Sequence, residues 1–553
     1  TSATGITAIG NRALCSNTTG ANNTAVGLCA MRTSTTGANN TTVGMCSLFA
    51  NTTGASNVAI GVEASKTNTT GTANVSVGKE AMLANTTGGS NVAIGQDTMK
   101  ANTTASNNTA VGQASLNSNT TGHSNTAVGR ASLIANTEAD NGTAVGRNAL
   151  VANTTGNNNT AIGSGSSAAT TTGTGNVSVG QASFVTNTTG ASNVAIGRGS
   201  LYSNTTASEI TAVGSCALFS NTTGTDNVAV GFCALSCNTT GATNTATGYL
   251  SLAANTTAAS NTAFGYKTLL TNTTGANNVA VGINALKFNT TGAGNVAIGC
   301  GALCKNTTAT GNVAMGREAG ISNTTGSNNT FIGENALSNN TTASGNTAVG
   351  MKAMVSNTTG DHMIAVGCFS LCKNTTGSIN TALGNCSLHA VTTGANNTAV
   401  GYFSGANTTT GSNNISLGKG SAPSSATVSN EITLGDSSID NLRCNDTSIS
   451  SLSDLRDKKN IKDIPHGLDY ILALRPVKFD WNRRDGTSKG KKDYGFIAQE
   501  LDQVEETFGN KEYTRLVNKK NPDKWEADPM KTYPILIKAI QELKAEIEEL
   551  KKK

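Results

Sequence analysis

A fixed period constrains this chain more than any other feature. Asn23-Thr24-Ala25-Val26-Gly27 returns with small changes along most of the sequence, and its glycine falls at Gly10, Gly27, Gly44, Gly61, Gly78 and onward to Gly418 and Gly435. These are 26 positions, each 17 residues from the next, without an insertion or deletion. Spacing of that kind marks a structural repeat and overrides the several-domain expectation that 553 residues would otherwise raise. A second landmark, Asn17-Thr18-Thr19-Gly20, ends ten residues past the first glycine. Each repeat is therefore expected to hold two turns and two short strands.

Seventeen residues cannot bury a core alone. Stacked on its own copies, a coil of that length pairs its backbone with the units above and below, so the sequence predicts a parallel β-solenoid, or β-roll, over 1–435. At about 4.8 Å per coil, the rod is expected to run about 125 Å. The residue before the landmark glycine is apolar in 25 of 26 units, from Ile9 and Val26 to Leu434, with Thr247 the exception. The fourth residue after it is usually Leu or Met, as in Leu14, Met31 and Leu116. These two columns are expected to form the core. By strand alternation, Ala two residues before the glycine should then face outward, where a small side chain lets neighbouring rods approach. Landmark glycines should supply a positive φ or a close backbone contact, and the Asn columns four before and seven after them should stack into hydrogen-bonded ladders. Val58-Ala59-Ile60-Gly61 and its relatives resemble the head repeats of trimeric autotransporter adhesins, whose period is usually shorter. That resemblance implies left-handed parallel β-rolls assembled as trimers; nothing here resembles the family's membrane-anchor barrel.

Charge divides the chain in two. Residues 1–450 hold 16 Lys or Arg and 14 Asp or Glu, whereas residues 451–553 hold 22 and 19. All six prolines lie from Pro423 onward, and Trp481 and Trp525 are both in the tail. The net charge of +5 forms no basic block in the array, which argues against nucleic-acid binding. No run of 18 apolar residues and no charged-then-apolar leader is present, so neither membrane insertion nor a signal peptide is expected, and the start at Thr1 reads as a cut end. The twelve cysteines lack the two-pair spacing of zinc sites, and no metal or cofactor is expected. Cys29 and Cys46, and likewise Cys216 and Cys233, share one repeat position in neighbouring units. They read either as small fillers of a narrow interior or as pairs able to cross-link.

Three readings of the array stand side by side. Nineteen Asn-Thr-Thr sequons in the column seven residues after the landmark glycine, from Asn17 to Asn374, would carry glycans in a eukaryotic glycosylating pathway, or simply spell a turn that favours Asn-Thr. Flat Thr columns could bind ice. The default is a passive shaft or adhesive rod that meets a host-surface receptor or glycan.

Period and composition both fail after Gly435, and Asp436–Leu452 reads as a transition segment. Then come Ser453-Asp454-Leu455-Arg456-Asp457-Lys458-Lys459-Asn460-Ile461, Gly467-Leu468-Asp469 through Leu474-Arg475-Pro476-Val477-Lys478-Phe479-Asp480-Trp481, and Asp493-Tyr494-Gly495-Phe496-Ile497-Ala498-Gln499-Glu500-Leu501. On residue chemistry alone, Ser453-Asp454 is a helix cap. In order and spacing, the three motifs resemble the endosialidase-type intramolecular chaperone, a self-cleaving C-terminal module of phage tail spikes and other trimeric β-fibres. The resemblance implies a small α+β domain over 453–553 and a Ser/Lys dyad. In it Ser453 attacks the carbonyl of Leu452 while Lys458 takes the hydroxyl proton, with Asp454, Arg456, Gly495, Phe496, Gln499 and Glu500 in support. The lysine must be neutral to act, so burial or a neighbouring charge such as Arg456 or Lys459 should favour the amine, and Asp457, where many members are apolar, should oppose it.

The segment Asp528–Lys553 reads as a helix with Tyr533, Leu536, Ile540, Leu543, Ile547 and Leu550 spaced as a coiled-coil seam. Together the parts point to a homotrimeric fibre of a virion tail or surface, aligned by a C-terminal clamp that then cuts itself away. The alternative is a microbial or prophage cell-surface adhesin.

Overall fold

The computed structural model describes residues 3–439, 441–443, 453–482, 490–509, 511–519 and 525–553. The chain divides into two compact units, Thr1–Ser344 and Gly345–Lys553. The first is solenoid throughout and carries strands β1 (Thr7–Ile9) to β20 (Thr330–Ile332). The second opens with six more coils, β21 (Thr347–Val349) to β26 (Ile432–Leu434). Within each unit every solenoid strand pairs in parallel with the next, a whole repeat on, as Thr7, Ala8 and Ile9 do with Thr24, Ala25 and Val26. The expected parallel β-solenoid is present.

Each coil holds one three-residue strand, not two. The rest is turn, because up to three L-residues per coil take a left-handed backbone, Arg12, Leu14 and Asn22 in the first with φ of 59, 50 and 57°, and glycine takes some of these positions in other coils, as Gly165 and Gly175 do. Each such residue costs about 1–2 kcal/mol in isolation. Stacking offsets it, since the turn backbone is also bonded between coils: Cys29 N–H donates to Asn11 O at 2.9 Å and Met31 N–H to Ser47 O at 3.0 Å.

The strand faces the opposite way from the sequence expectation. The strand alanines from Ala25 through Ala59 and Ala93 to Ala399 are fully buried, together with Met31, Leu48 and Leu116. Ile9, Ile60, Ile94, Ile162, Ile196 and Ile298, which precede the glycines, are exposed. The coil is too thin for two large side chains to meet inside it, so Leu or Met fills the interior and only a small residue fits across from it. Three sites show that pairing. Where Phe331 replaces the strand Ala, the facing position of the preceding coil is Gly320, whose added Cβ would lie 3.2 Å from the Phe331 ring. Where Ser76 and Ser178 replace it, Ser65 and Ser167 stand opposite, with oxygens 2.9 and 2.6 Å apart.

Two asparagine ladders run along the interior. In one, Asn68 Nδ2 donates to Asn51 Oδ1 at 3.0 Å and to Gly71 O at 3.1 Å, and Asn85 and Asn102 repeat the pattern. In the other, Asn40 N–H donates to Asn23 Oδ1 at 2.9 Å while Asn40 Nδ2 donates to Gly54 O at 3.0 Å. The first ladder is the sequon column. Asn51, Asn85, Asn221 and Asn306 are fully buried with their amide nitrogens engaged, so the Asn-Thr-Thr spelling serves the turn and these amides are closed to glycan attachment in the folded coil. The landmark glycines behave as expected: Gly214 has φ 135°, and a Cβ there would lie 2.3 Å from the Gly231 carbonyl oxygen. The cysteines do not fill the interior; the eleven described ones are free and exposed or half-buried.

The C-terminal region is an ordinary small α+β body. Helix α1 (Leu468–Ala473) packs on the long helix α4 (Tyr533–Lys552), and strand β27 (Val477–Asp480) pairs antiparallel with β28 (Lys492–Gly495). Helices α2 (Ala498–Thr507) and α3 (Lys511–Thr514) and the short strands β29 (Val517–Asn518) and β30 (Glu526–Ala527) complete it. Its core is Tyr470, Leu501, Leu516 and Ile535, flanked by Phe496, Val504 and Phe508. Helix α4 buries Ile535 and Ala539, while the whole seam of Tyr533, Leu536, Ile540, Leu543, Ile547 and Leu550 is exposed. No helix among the described residues is long and apolar enough to cross a membrane.

Candidate functional site

Ser453 and Lys458 flank a single 3₁₀ turn, Leu455–Asp457. Asp454 caps it, accepting from Arg456 N–H at 2.9 Å. The turn carries the chain back on itself, so that Lys458 Nζ donates to Ser453 Oγ at 2.6 Å. The cap expected on residue chemistry alone and the contact implied by the resemblance therefore coexist: Asp454 is the cap, and Ser453 is left to the lysine. Leu452, the residue on the other side of the candidate scissile bond, lies outside the described residues.

Arg456 does not turn toward the lysine. Its guanidinium grips Asp454, with Nε and Nη2 at 3.0 and 2.6 Å from the carboxylate oxygens. That ion pair holds the Asp454 carboxyl below its usual range. The carboxylate of Asp457 makes no hydrogen bond or ion pair among the described residues. Ser453 and Lys458 are both exposed. The pair thus has hydrogen-bond contact in a solvent-exposed position.

The other predicted residues sit elsewhere in the fold. Gly495 ends β28, and a Cβ there would lie 3.3 Å from the ring of Phe479 on the neighbouring strand. Phe496 packs against the core. Glu500, in the first turn of α2, is gripped by the guanidinium of Arg475, whose Nε lies 2.9 Å away, and this pair holds the Glu500 carboxyl below its ordinary value. Gln499 is exposed. No hydrogen bond or ion pair joins this group to Ser453 or Lys458 among the described residues. Arg475 and Glu500 line a cavity of about 330 Å³ with Leu474, Phe496 and Ile497. Among the described residues there is no cluster of three or more His, Cys, Asp or Glu able to hold a metal ion.

Two structural acids escaped the sequence reading. Glu542 on α4 accepts from Leu468 N–H at 2.6 Å and so caps α1 from across the domain. Glu505 is buried at 1% exposure, accepting from Thr514 Oγ1 and from Leu516 N–H, the latter at 2.6 Å. Its spacing carried a signal: it falls four residues after Leu501, on the apolar side of α2, where an acid needs buried partners.

No curated protein matches the chain. Residues 453–510, which begin at the serine of the Ser453–Lys458 pair and end just past α2, match the model of a peptidase family described as the chaperone of endosialidase, and a long β-solenoid precedes them.

Proposed function

We propose that this chain is one strand of a homotrimeric fibre whose C-terminal region brings three chains into register and then cuts itself off between Leu452 and Ser453. The observation that carries the reading is the 2.6 Å contact of Lys458 Nζ with Ser453 Oγ, at the head of the stretch that matches the chaperone family. In the neutral state Lys458 accepts the Ser453 hydroxyl proton as Oγ adds to the Leu452 carbonyl carbon. The peptide C–N bond breaks, the proton passes to the departing Ser453 nitrogen, and an ester joins Leu452 to the Ser453 side chain. Water then hydrolyses that ester, leaving a Leu452 carboxylate and a free Ser453 amine. The exposed pair of the single chain has the contact but not the dry surroundings. Assembly supplies them and so couples cutting to completed registration.

Two unpartnered apolar stripes support the trimer. One is the column of Ile and Val before the landmark glycines, the other the α4 seam. Each repeats along its element as an interface between identical chains requires, and two Ile in the seam accommodate three strands. Clamping matters because every coil resembles the next, so a slip of one coil costs little locally. Once the clamp is cut away, an opened fibre cannot easily re-form, and its slow unfolding becomes its working stability. The setting that fits this device best is a virion tail or surface fibre contacting a host surface.

Intact mass and native-state sizing of the wild type beside Ser453→Ala and Lys458→Ala test it. The expected result is a 453–553 fragment from the wild type alone, with a trimeric remainder. An uncut monomer in all three proteins overturns both the dyad and the trimer.

A further inference from the structure

Cysteine is scarce in the solenoid, yet it recurs in neighbouring coils. Cys29 and Cys46 each lie two residues after successive landmark glycines, and so do Cys216 and Cys233. The strands leading into the second pair are in register, Ala212 against Ala229 and Val213 against Val230. The alignment holds through the turn, where Cys233 N–H donates to Ser215 O at 3.0 Å. Both cysteines have a left-handed backbone, with φ of 58 and 51°, so their Cβ bonds leave the stack in the same direction. Successive coils lie about 4.8 Å apart, inside the Cα separation of roughly 4.4–6.8 Å that a disulfide accepts. Both are half-buried, open to a small reagent and outside the Ala/Leu interior.

We propose that Cys216 and Cys233 form a cross-linking site, closed to an inter-coil disulfide by exchange with a small disulfide such as oxidised glutathione, and that Cys29 and Cys46 form a second. One cysteine thiolate attacks a sulfur of the small disulfide and expels one thiol. The second cysteine then attacks the mixed disulfide and expels the other. Two protein thiols are oxidised to one disulfide while the reagent is reduced to two thiols. The bridge ties one coil to the next, so that opening the stack at that level requires breaking a covalent bond. Burial pushes the Cys233 thiol up, so exchange speeds as the solution is made alkaline. Cys237, in the same coil as Cys233, is the competitor.

The full chain is treated with oxidised glutathione, quenched with N-ethylmaleimide and digested with chymotrypsin, which can cut after Phe219 and Phe232 between the two cysteines. The expected product is a peptide pair two hydrogens lighter than its sum and separated by reduction. It persists in Cys237→Ser and disappears in Cys216→Ser. Trypsin, cutting at Arg12 and Arg32, places Cys46 in one peptide and Cys15 with Cys29 in the other, and the link between them persists in Cys15→Ser and disappears in Cys29→Ser. A Cys233–Cys237 link, a link between chains, or thiols that stay free where the denatured chain oxidises fully overturns the proposal.

Discussion

The solenoid and the C-terminal region solve the same problem with opposite materials. In the solenoid, order comes from repetition: Asn on Asn, Thr on Thr, backbone on backbone, with Thr52 Oγ1 donating to Thr69 O at 3.0 Å and Thr69 Oγ1 to Thr86 O at 3.0 Å. Its interior is a file of Ala and Leu with almost no charge. In the C-terminal region nothing repeats, the core is one cluster around Tyr470 and Leu501, and carboxylates hold elements together, Glu542 on α1 and Asp502 on Lys511 and Lys519. A periodic structure spreads its stability over many equal contacts, whereas a small globular region concentrates it in a few.

The sharpest way to break the comparison is at a landmark glycine. Gly214→Ala places a Cβ on the carbonyl of the next coil, backbone against backbone, at a φ of 135° that alanine resists. It is expected to cost about 4 kcal/mol or more. In hydrogen exchange the loss should fall on the coils next to residue 214 and leave the C-terminal region untouched. Exchange that rises evenly over the whole chain would show that the coils do not act as local units.

A ladder substitution should cost less. Asn221→Leu removes the acceptor of Asn238 Nδ2 and the donor to Asn204 Oδ1 and Gly224 O, all buried. The expected loss is about 1–3 kcal/mol, read as a lowered denaturant midpoint. A stability equal to wild type would mean that the ladder sets coil geometry without stabilising it.

Acid should separate the two regions. Burial by itself would raise the Asp502 carboxyl, but hydrogen bonds from Lys511 and Lys519 outweigh it and hold the group below its ordinary value. The Leu468 N–H, together with Lys538, holds Glu542 below its own. Folded-state values below the unfolded ones mean that these groups stabilise the region above the unfolded pKa and lose that contribution as pH falls through the folded values. In Ser453→Ala, where the regions stay joined, tryptophan fluorescence reports the C-terminal region alone, since Trp481 and Trp525 are the chain's two tryptophans. It should show unfolding below about pH 4 while the β signal of the solenoid persists. Loss of both signals at one pH would break the distinction.

The smallest effect is expected at the exposed pair of Arg317 and Glu334 on adjacent coils. Arg317→Ala should leave the thermal midpoint essentially where it is in the wild type, because solvent screens such a pair. A larger loss in thermal melts would mark it as part of an interface between chains.

Much of this was legible in the residues. The period named the solenoid, the glycine column its tight turns, the Asn columns their ladders, and Ser453-Asp454-Leu455-Arg456-Asp457-Lys458 placed the serine and lysine that the turn brings together. What was misread was direction. Alternation shows that Ala25 and Val26 face opposite ways but not which way is in, and hydrophobicity favoured the larger residue. The answer was present as compensation within the repeats, Phe331 with Gly320 and Ser178 with Ser167, since only facing residues need to trade volume or polarity. The left-handed turn residues had no such signal. Leu14, Met31 and Leu48 are ordinary helix or strand formers, held at positive φ only by the coils above and below.

The sequence by itself determined the repeat and the number of coils, because periodicity is a property of the chain alone. Tertiary structure decided which face of the strand lies inside, that the sequon asparagines are closed, and that the α4 seam is left open. Those depend on the width of the coil and on which surfaces other elements already cover, and both are set only when the coils stack.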